Sequence, residues 1–277
     1  EINNGKANRA KVNQNPVRSQ KELLGLVKSV CFSPEDLDLV RGDPSERRSF
    51  LDQLLIQQSP RLAGVISDYE RALKQRNSLL KSRAPESSLR SWSEHLATFG
   101  GEVIAGRIKL INEIEPLFQI AYKNLSAKKL AKLGYKSSIP APSSEKEVNK
   151  EVMLKVIEEV KSQEIERGIS LVGPHRDDLI LNLGDHPVKG YASHGESWSI
   201  ALALRLASYQ LFINEGAKPI LILDDVFSEL DEGRREKLLE IADSAEQTFI
   251  TVAVENDLPK AIQGARFKVE LGKVVTL

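Results

Sequence analysis

Residues 219–231 read Pro-Ile-Leu-Ile-Leu-Asp-Asp-Val-Phe-Ser-Glu-Leu-Asp. The apolar run at 220–223 is short and continuous, which predicts a strand buried on both faces, as in a parallel sheet. Two carboxylates, Asp224 and Asp225, follow this strand directly. Ligands of open α/β sheets bind at the carboxyl ends of the strands. The stretch therefore predicts an α/β fold with a ligand site just after this strand.

The paired carboxylates indicate what kind of ligand the site takes. Two adjacent acids are costly to hold together unless a cation or a reaction uses them. A nucleotide site fits, because Asp224 would hold Mg²⁺ through its water shell and Asp225 would polarise the attacking water. In phosphate-loop ATPases this pattern is called Walker B. The alternative is a pair of exposed acids that bind nothing.

The other half of a phosphate-loop site is missing from the sequence. That loop requires Gly-x-x-x-x-Gly-Lys-Ser/Thr between a strand and a helix. The Gly-Lys pairs at 5–6 and 272–273 are followed by Ala and Val, and neither has a Gly at the required offset. The chain also begins at Glu1 rather than at Met. We therefore expect the C-terminal part of a longer protein, which would not hydrolyse ATP by itself.

Composition limits the class of protein. A length of 277 residues allows one large or two modest domains, and 41% hydrophobic residues with a mean hydropathy of -0.28 indicate a soluble protein with a core. No apolar run is long enough to span a membrane. The single cysteine, Cys31, lies in a predicted strand, where we expect a core residue, and its isolation fits the reducing cytoplasm.

The charge balance argues against one mode of nucleic-acid binding. The formal net charge is +0, which is unlike a strongly basic, non-specific DNA-binding protein. A local basic patch is still compatible with this balance. The opening stretch is rich in basic residues, and the simplest interpretation is a solvated loop; they are Lys6, Arg9, Lys11, Arg18 and Lys21.

The middle of the chain has helical periodicity. Asp43 and Pro44 are typical of a helix start, and that helix should end near residue 58. Two longer helices, near 60–82 and 89–118, with a turn at 83–88, predict an antiparallel helical arm. Gly100-Gly101 should weaken the second helix by roughly 1 kcal/mol per Gly. Its Trp92 and Phe99 stripe predicts core packing; a base-stacking or partner surface is the alternative.

The remaining segments complete a predicted organisation in three parts. Residues 124–146 predict a loop or short irregular strands, and a helix at 145–167 should end at Gly168. The pattern then becomes α/β, with strands near 27–33, 179–183, 220–223 and 247–252, helices near 193–214 and 231–242, and a hairpin at 267–277. We expect a remnant of an N-terminal ATPase lobe at 1–42, a helical arm at 43–168 and a C-terminal ATPase lobe at 169–277.

Two further segments belong with the carboxylates. Ser193-His194-Gly195-Glu196 stands at a helix start, where a Ser, a Gly and the helix dipole favour an anion; a plain N-cap is the alternative. Residues 228–231, Ser-Glu-Leu-Asp, follow the carboxylates and could also be only a cap. In this order, the three segments resemble the signature, Walker B and D-loop of ABC-type ATPases. In those proteins the signature of one subunit closes on ATP held by the other.

Two long stretches resemble the RecF family, an SMC-like branch of these ATPases. They are Phe-Ser-Pro-Glu-Asp-Leu-Asp-Leu-Val-Arg-Gly-Asp-Pro-Ser-Glu-Arg-Arg at 32–48 and Leu-Val-Gly-Pro-His-Arg-Asp-Asp-Leu at 171–179. With the ATPase segments, the resemblance covers essentially the whole chain. It implies an α/β ABC-type ATPase head, of which this is the C-terminal half, with an inserted all-α helical arm.

The resemblance also implies a function. RecF proteins bind ATP and Mg²⁺, form an ATP-dependent homodimer, and bind single-stranded and gapped double-stranded DNA. They act with RecR and RecO, and indirectly with RecA, in recombinational repair, replication restart and SOS induction in the cytoplasm. The family implies a weak, DNA-dependent ATPase for the intact protein. In this sequence Asp225 stands where many ABC ATPases have Glu, and this difference predicts slow turnover of ATP.

The roles of individual residues follow from the same resemblance. Asp224 corresponds to the Mg²⁺-associated carboxylate and Asp225 to the catalytic one. The other expected ATP contacts are Ser193 and Gly195 (to the γ-phosphate in trans), Glu196, Ser228, Asp231 and Thr251. His194 and Glu196 depart from the commoner Gln residues of the signature. Thr251 is the nearest polar residue to the position where ABC ATPases usually place a His.

Some interpretations stay open at this point. His175 and Arg176 could serve ATP or the subunit interface, and a metal site from His175, Asp177 and Asp178 is an alternative. The competing function is a non-enzymatic scaffold that binds DNA or partner proteins. Another SMC-like ATPase would predict a zinc hook or a long coiled coil, which the single Cys and the short arm oppose.

Overall fold

The computed structural model describes residues 3–5, 8–17, 20–126, 129–227, 230–254, 258 and 262–276. Its helices are α1 (Leu37–Arg41), α2 (Pro44–Gln58), α3 (Leu62–Lys81), α4 (Glu86–Leu125), α5 (Lys146–Glu159), α6 (Lys161–Arg167), α7 (His194–Asn214) and α8 (Glu232–Ser244). Its strands are β1 (Lys11–Val12), β2 (Asn15–Pro16), β3 (Ser29–Phe32), β4 (Ala131–Lys136), β5 (Asp178–Leu183), β6 (His186–Pro187), β7 (Ile220–Asp224), β8 (Thr248–Thr251), β9 (Phe267–Glu270) and β10 (Lys273–Thr276). Among these residues, we find no helix with the length and apolarity needed to cross a bilayer.

A parallel sheet in the order β3-β7-β8 carries the paired carboxylates at the end of its middle strand. Helix α7 packs against β3 and against α4, and it is buried around most of its circumference. A helix that is apolar all round belongs in the centre of a fold. One face of the sheet is buried with it, through Val30, Phe32, Leu221 and Leu223. The predicted strand and helix are confirmed here.

The opposite face of this sheet corrects two expectations. Cys31, Ile222 and Phe249 form one row across the three strands. Cys31 is exposed, Ile222 is half-buried and Phe249 is 51% exposed. Successive side chains of a strand point to opposite faces, so Cys31 points away from the core that its neighbours fill. Burial of the middle strand on both faces and a core position for Cys31 were therefore wrong.

Helices α3 and α4 pack together, and α5 packs on α4. Helix α4 continues for 40 residues through the glycine pair and through Pro116, so the glycines do not interrupt it, and their cost to its stability stays a prediction. It also starts at Glu86, inside the expected turn. A Cβ on Gly101 would lie 2.7 Å from the backbone oxygen of Lys146 in α5. The glycine pair therefore allows two helices to approach closely, and packing outweighs helix propensity.

Other helical predictions are confirmed with small changes. Helix α2 begins at Pro44 and ends at Gln58, as expected, although the N-cap Asp43 makes no capping hydrogen bond through its side chain. Trp92 and Phe99 are partly buried against a core cluster in the arm, which supports core packing. The expected helix at 145–167 is divided at Val160 into α5 and α6, and Gly168 ends α6 in a left-handed conformation with φ 66.

The segment predicted as a loop contains a regular strand. Residues 131–136 form β4, which pairs along its whole length with β5 in the antiparallel order β4-β5-β6. Ala131 and Leu133 on one face of β4 are buried. This strand lies inside the segment assigned to the helical arm, and its partner belongs to the C-terminal lobe. The division at 42/43 and 168/169 stays a prediction, because the main core also combines residues from all three parts.

The two stretches that carry the family resemblance contact each other. Arg47 of α2 donates two hydrogen bonds to Asp178, at 2.8 Å from Nε and 2.9 Å from Nη2. Arg48 donates to the backbone oxygen of Asp177 at 3.0 Å. Nearby, Arg107 of α4 donates to Asp52 and to the backbone oxygen of Pro174. We call this set of contacts the arm–head junction.

Candidate functional site

The paired carboxylates lie at the carboxyl end of β7, beside the end of β8. Asp224 is paired with Thr251 in the sheet register, and its Oδ1 accepts a hydrogen bond from the Thr251 hydroxyl. The backbone N–H of Asp225 donates to the Thr251 carbonyl at 3.1 Å. The Oδ1 of Asp225 accepts from the backbone N–H of Ala253 at 3.4 Å. Thr251 therefore holds both acids, one through its side chain and one through its backbone.

Asp225 has an unusual backbone conformation for a residue other than glycine. Its φ is 51°, in the left-handed region, which costs free energy for most side chains and is best tolerated by Asp and Asn. The next two residues, Val226 and Phe227, are fully buried. The chain thus turns sharply after the strand, so that Asp224 is exposed and Asp225 half-buried. Strained residues that the surroundings hold in place are common at functional sites.

The residues at Asp224 fit a hard cation. Carboxylate and hydroxyl oxygens are the ligands that Mg²⁺ prefers, usually with retained water. Asp224 offers an exposed carboxylate whose orientation is fixed by Thr251. The chemistry of this donor set therefore suits a Mg²⁺ ion that is bound mainly through water and through the phosphates of a nucleotide.

Ser193 begins helix α7 with a complete capping box. Its hydroxyl accepts from the backbone N–H of Glu196 at 3.3 Å, and its own N–H donates to the Glu196 carboxylate at 2.8 Å. Glu196 also pairs with Lys129 at 3.1 Å. The hydrogen bonds from Ser193 and the cation of Lys129 lower the pKa of the Glu196 carboxyl. The N-terminus of α7 is therefore pre-organised, and it already carries an anionic group of its own.

Trp198 fixes the first turn of α7 to the core. Its indole N–H donates to Nε2 of His194 at 3.0 Å. Its ring is buried and meets the ring of Phe32 edge-on at 5.6 Å. Phe32 belongs to β3, so the segment Ser193–Glu196 is connected to the parallel sheet. His194 acts here as a hydrogen-bond acceptor for Trp198, which places Nε2 without a proton.

Asp231 caps helix α8 and leads back to α7. Its Oδ1 accepts from the backbone N–H of Arg234 at 3.0 Å, and its Oδ2 pairs with Nη1 of Arg234 at 3.2 Å. A Cβ on Gly195 would lie 3.5 Å from that same Nη1. The structure thus brings Asp231 and Gly195 together through Arg234. Ser228, the remaining sequence-predicted residue, lies outside the described residues.

The residues at 175–178 belong to the arm–head junction. Nδ1 of His175 lies 2.5 Å from the Tyr69 hydroxyl, and its Nε2 lies 3.2 Å from the Ser170 carbonyl. Burial, reinforced by nearby arginines, lowers the pKa of His175 to about 4. Asp177 is fully buried and accepts from the Tyr135 hydroxyl at 2.6 Å. The carboxylates of the alternative metal site are thus engaged by protein donors, Asp178 by Arg47.

Two charged residues at the site were missed from the sequence. Lys129 is 67 residues from Glu196, so no local pattern could have paired them. Arg234 stands three residues after Asp231, a spacing at which helical side chains of opposite charge meet. That spacing was a usable signal, although its link to Gly195 was not readable from sequence.

Comparisons with known proteins identify close relatives. The chain is 49% identical over 286 residues to the DNA replication and repair protein RecF of Streptomyces avermitilis, covering 99% of this chain and 76% of that protein. The solved structure of the recombination mediator protein RecF-ATPrS in the RecFOR pathway is similar with a TM-score of 0.87 at 27% identity, covering 96% of this chain and 72% of that one. No protein-family model matches the chain.

A more distant similarity concerns the fold alone. A crystal structure of the SmcHead bound to the C-winged helix domain of ScpA matches with a TM-score of 0.50 at 14% identity, covering 97% of this chain and 64% of that one. Together with the RecF structure, it places the chain in the α/β ABC-type ATPase fold with a helical insertion.

Proposed function

Because the chain belongs to the RecF family of DNA replication and repair proteins, we propose that it works in ATP-dependent DNA repair. The intact protein binds ATP and Mg²⁺, dimerises on ATP, and hydrolyses ATP slowly in a DNA-dependent way. The observation that carries this proposal is the pair Asp224 and Asp225, held by Thr251 at the end of the middle parallel strand.

The proposed cellular role follows from the family. The dimer binds single-stranded and gapped double-stranded DNA at their junctions, acts with RecR and RecO, and supports RecA loading and SOS induction in the cytoplasm. Similarity to a RecF-ATPrS structure of the RecFOR pathway supports ATP binding and this partnership. The neutral overall charge of the chain fits recognition of particular DNA structures better than uniform coating of DNA.

The two carboxylates take different roles. When bound, Mg²⁺ would neutralise charge on the β- and γ-phosphates of ATP. Asp224, oriented by the Thr251 hydroxyl, would hold this ion through water. Asp225, raised out of the strand by its left-handed backbone, would orient the attacking water and accept its proton.

We assign the start of α7 to contact the nucleotide that a second copy of the chain holds. Ser193 offers a hydroxyl, Gly195 and Glu196 offer backbone N–H groups at the positive end of the helix, and these suit a γ-phosphate. Glu196 keeps the capping box closed until the phosphate arrives, and Lys129 offsets its charge. We also assign Asp231 and, from the sequence alone, Ser228 to this composite site, and we assign Thr251 a contact near the γ-phosphate.

Analytical ultracentrifugation of the full-length protein tests dimerisation. With ATP and Mg²⁺ the wild type is expected to shift from monomer to dimer. Ser193→Arg should stay monomeric, because the new side chain fills the anion site. Ser82→Arg, in the exposed turn after α3, is the matched control and should dimerise normally. If the oligomeric state of the wild-type protein did not change with ATP, the result would favour the scaffold function instead.

A second measurement tests catalysis. Asp225→Asn keeps the shape and the tolerance for a left-handed backbone, but it removes the carboxylate. We expect ATP turnover to fall by roughly a hundredfold or more, with ATP binding retained. Unchanged turnover in this variant would mean that Asp225 is not the catalytic carboxylate.

A further inference from the structure

Arg234 connects two segments that the sequence presented as separate motifs. One is the start of α8, where the Asp231 carboxylate pairs with Nη1 of Arg234 at 3.2 Å. The other is the start of α7, where a Cβ on Gly195 would lie 3.5 Å from Nη1 and 3.9 Å from Nη2. Two guanidinium nitrogens of Arg234 thus lie at van der Waals distance from the position that a side chain on Gly195 would occupy.

The local cap alone does not explain this placement. An exposed ion pair at this helical spacing contributes only about 0.2–0.5 kcal/mol, and Asp231 is 63% exposed. Arg234 itself is only 20% exposed. Its Nε is buried and has no hydrogen-bond partner among the described residues, a state that costs free energy. The side chain of Arg234 therefore lies toward α7, although this position costs free energy.

The positive charge of Arg234 also lies at the positive end of the α7 helix dipole. A guanidinium beside a helix N-terminus meets the positive end of the helix dipole, which is unfavourable unless an anion is present. Among the described residues, two carboxylates lie at this position: Asp231, which pairs with Nη1, and Glu196, which belongs to the capping box of α7. Gly195 lies within helix α7 and does not have a positive φ, so its backbone does not require glycine. A Cβ at this position would be in ordinary van der Waals contact with Arg234, so the guanidinium packs beside the first turn of α7.

We propose that Arg234 is a positioning residue of the nucleotide site. It couples Asp231 to Gly195, so that the start of α8 and the start of α7 move as one body when a second copy closes on ATP. This inference rests on the proposed function, since it needs ATP-driven closure. Arg234 acts through its two neighbours, and the coupling makes the response to nucleotide cooperative.

The test compares Arg234→Gln with Arg235→Gln in the full-length protein. Arg235 is the matched control, because its Nε is likewise buried without a partner among the described residues, and neither Asp231 nor Gly195 is among its recorded side-chain contacts. Three quantities are measured for each variant. They are the dissociation constant of the dimer with ATP and Mg²⁺, ATP binding to the monomer, and the melting temperature without nucleotide.

Arg234→Gln is expected to weaken ATP-driven dimerisation by at least about fivefold, with monomer ATP binding and the melting temperature matching those of Arg235→Gln. Combining it with Asp231→Asn should add little further loss, because both changes break one coupling. If Arg234→Gln fails to fold, Arg234→Lys replaces it, since lysine keeps the charge and lacks the two-nitrogen fork.

The outcomes separate this inference from the proposed function. If the wild type does not dimerise on ATP, the proposed function fails and the inference fails with it. If the wild type dimerises and Arg234→Gln dimerises equally well, only the coupling is wrong. Equal weakening by Arg234→Gln and Arg235→Gln, or additive losses with Asp231→Asn, would also overturn the coupling.

Discussion

Arg47 and Asp178, which are 131 residues apart in sequence, form two parallel hydrogen bonds of 2.8 and 2.9 Å. Their side chains are 7% and 16% exposed, so the pair is largely shielded from water. A bidentate pair of this kind is directional as well as strong. It fixes α2 against the beginning of β5.

Breaking this pair is expected to destabilise the protein strongly. Arg47→Met leaves the Asp178 carboxylate with no ionic partner at a largely buried position, and such a loss costs about 3–5 kcal/mol. Lys218→Met removes an exposed pair with Glu246, at 3.2 Å, and should cost about 0–1 kcal/mol. Chemical denaturation of both variants measures the difference. Similar free energies of unfolding would show that the junction contributes no more than a surface pair.

Two glycine substitutions are expected to act in opposite directions. Gly101→Ala should destabilise, because the new Cβ would lie 2.7 Å from the backbone oxygen of Lys146 and push α5 away. Gly64→Ala in α3 has no neighbour within 4 Å, so it should stabilise by up to about 1 kcal/mol through helix propensity. Thermal melting gives both signs. A stabilising Gly101→Ala would mean that the α4–α5 contact yields easily.

His175 is expected to make stability depend on pH. Its pKa falls to about 4 in the folded state, from about 6.5 in an unfolded chain. The unfolded state therefore binds the extra proton first as pH falls. Above pH 6.5 the ring is neutral in both states, and the free energy of unfolding does not depend on its titration. Between pH 6.5 and 4 the free energy of unfolding falls, and the loss is about 2 kcal/mol at pH 5.

His175→Gln should remove this part of the pH dependence. Free energies of unfolding are measured by denaturant titration at pH 7.5 and pH 5, and the loss on acidification should be smaller in the variant than in wild type. His95→Gln, on the exposed side of α4, is the control and should keep the wild-type loss. An equal loss of the free energy of unfolding on acidification in all three proteins would contradict the assignment to His175.

Thr251 is expected to control the response to Mg²⁺. Thr251→Val keeps the shape of the side chain and removes the hydroxyl that orients Asp224. Loss of such an outer contact weakens metal binding by roughly tenfold or more, so ATP-driven dimerisation should need correspondingly more Mg²⁺. Thr248→Val, on the same strand, removes a hydroxyl bonded to the Ala242 carbonyl instead and should leave the Mg²⁺ requirement unchanged. Equal requirements in both variants would exclude a role for the Thr251 hydroxyl.

The sequence predicted those parts of the fold whose cause is local. An apolar run followed by acids predicts β7, and a Ser at the N-cap position before an apolar helical run predicts the start of α7. The regular strand β4 was not predicted because its partner is distant in sequence: Leu133 pairs with Leu181, 48 residues later. Burial of Ala131 and Leu133 does show the alternation of a strand. The close approach of α5 to Gly101 was not predicted, because helix propensity contains no term for packing between helices.

The candidate site divides in the same way. The positions of Asp224, Asp225 and Ser193 follow from the elements that end or begin there. Their partners, Lys129 for Glu196 and Thr251 for the acids, come from other parts of the chain and require the tertiary structure. The exposure of Cys31 was equally hidden, because a strand pattern does not indicate which face is covered.

The hydrogen bond from Trp198 to His194 has a practical consequence for spectroscopy. The chain has two tryptophans, Trp92 and Trp198, so Trp92→Phe leaves a single fluorophore at the first turn of α7. Because this indole is buried and hydrogen-bonded at that turn, its emission would report any rearrangement of the start of α7 without an attached label.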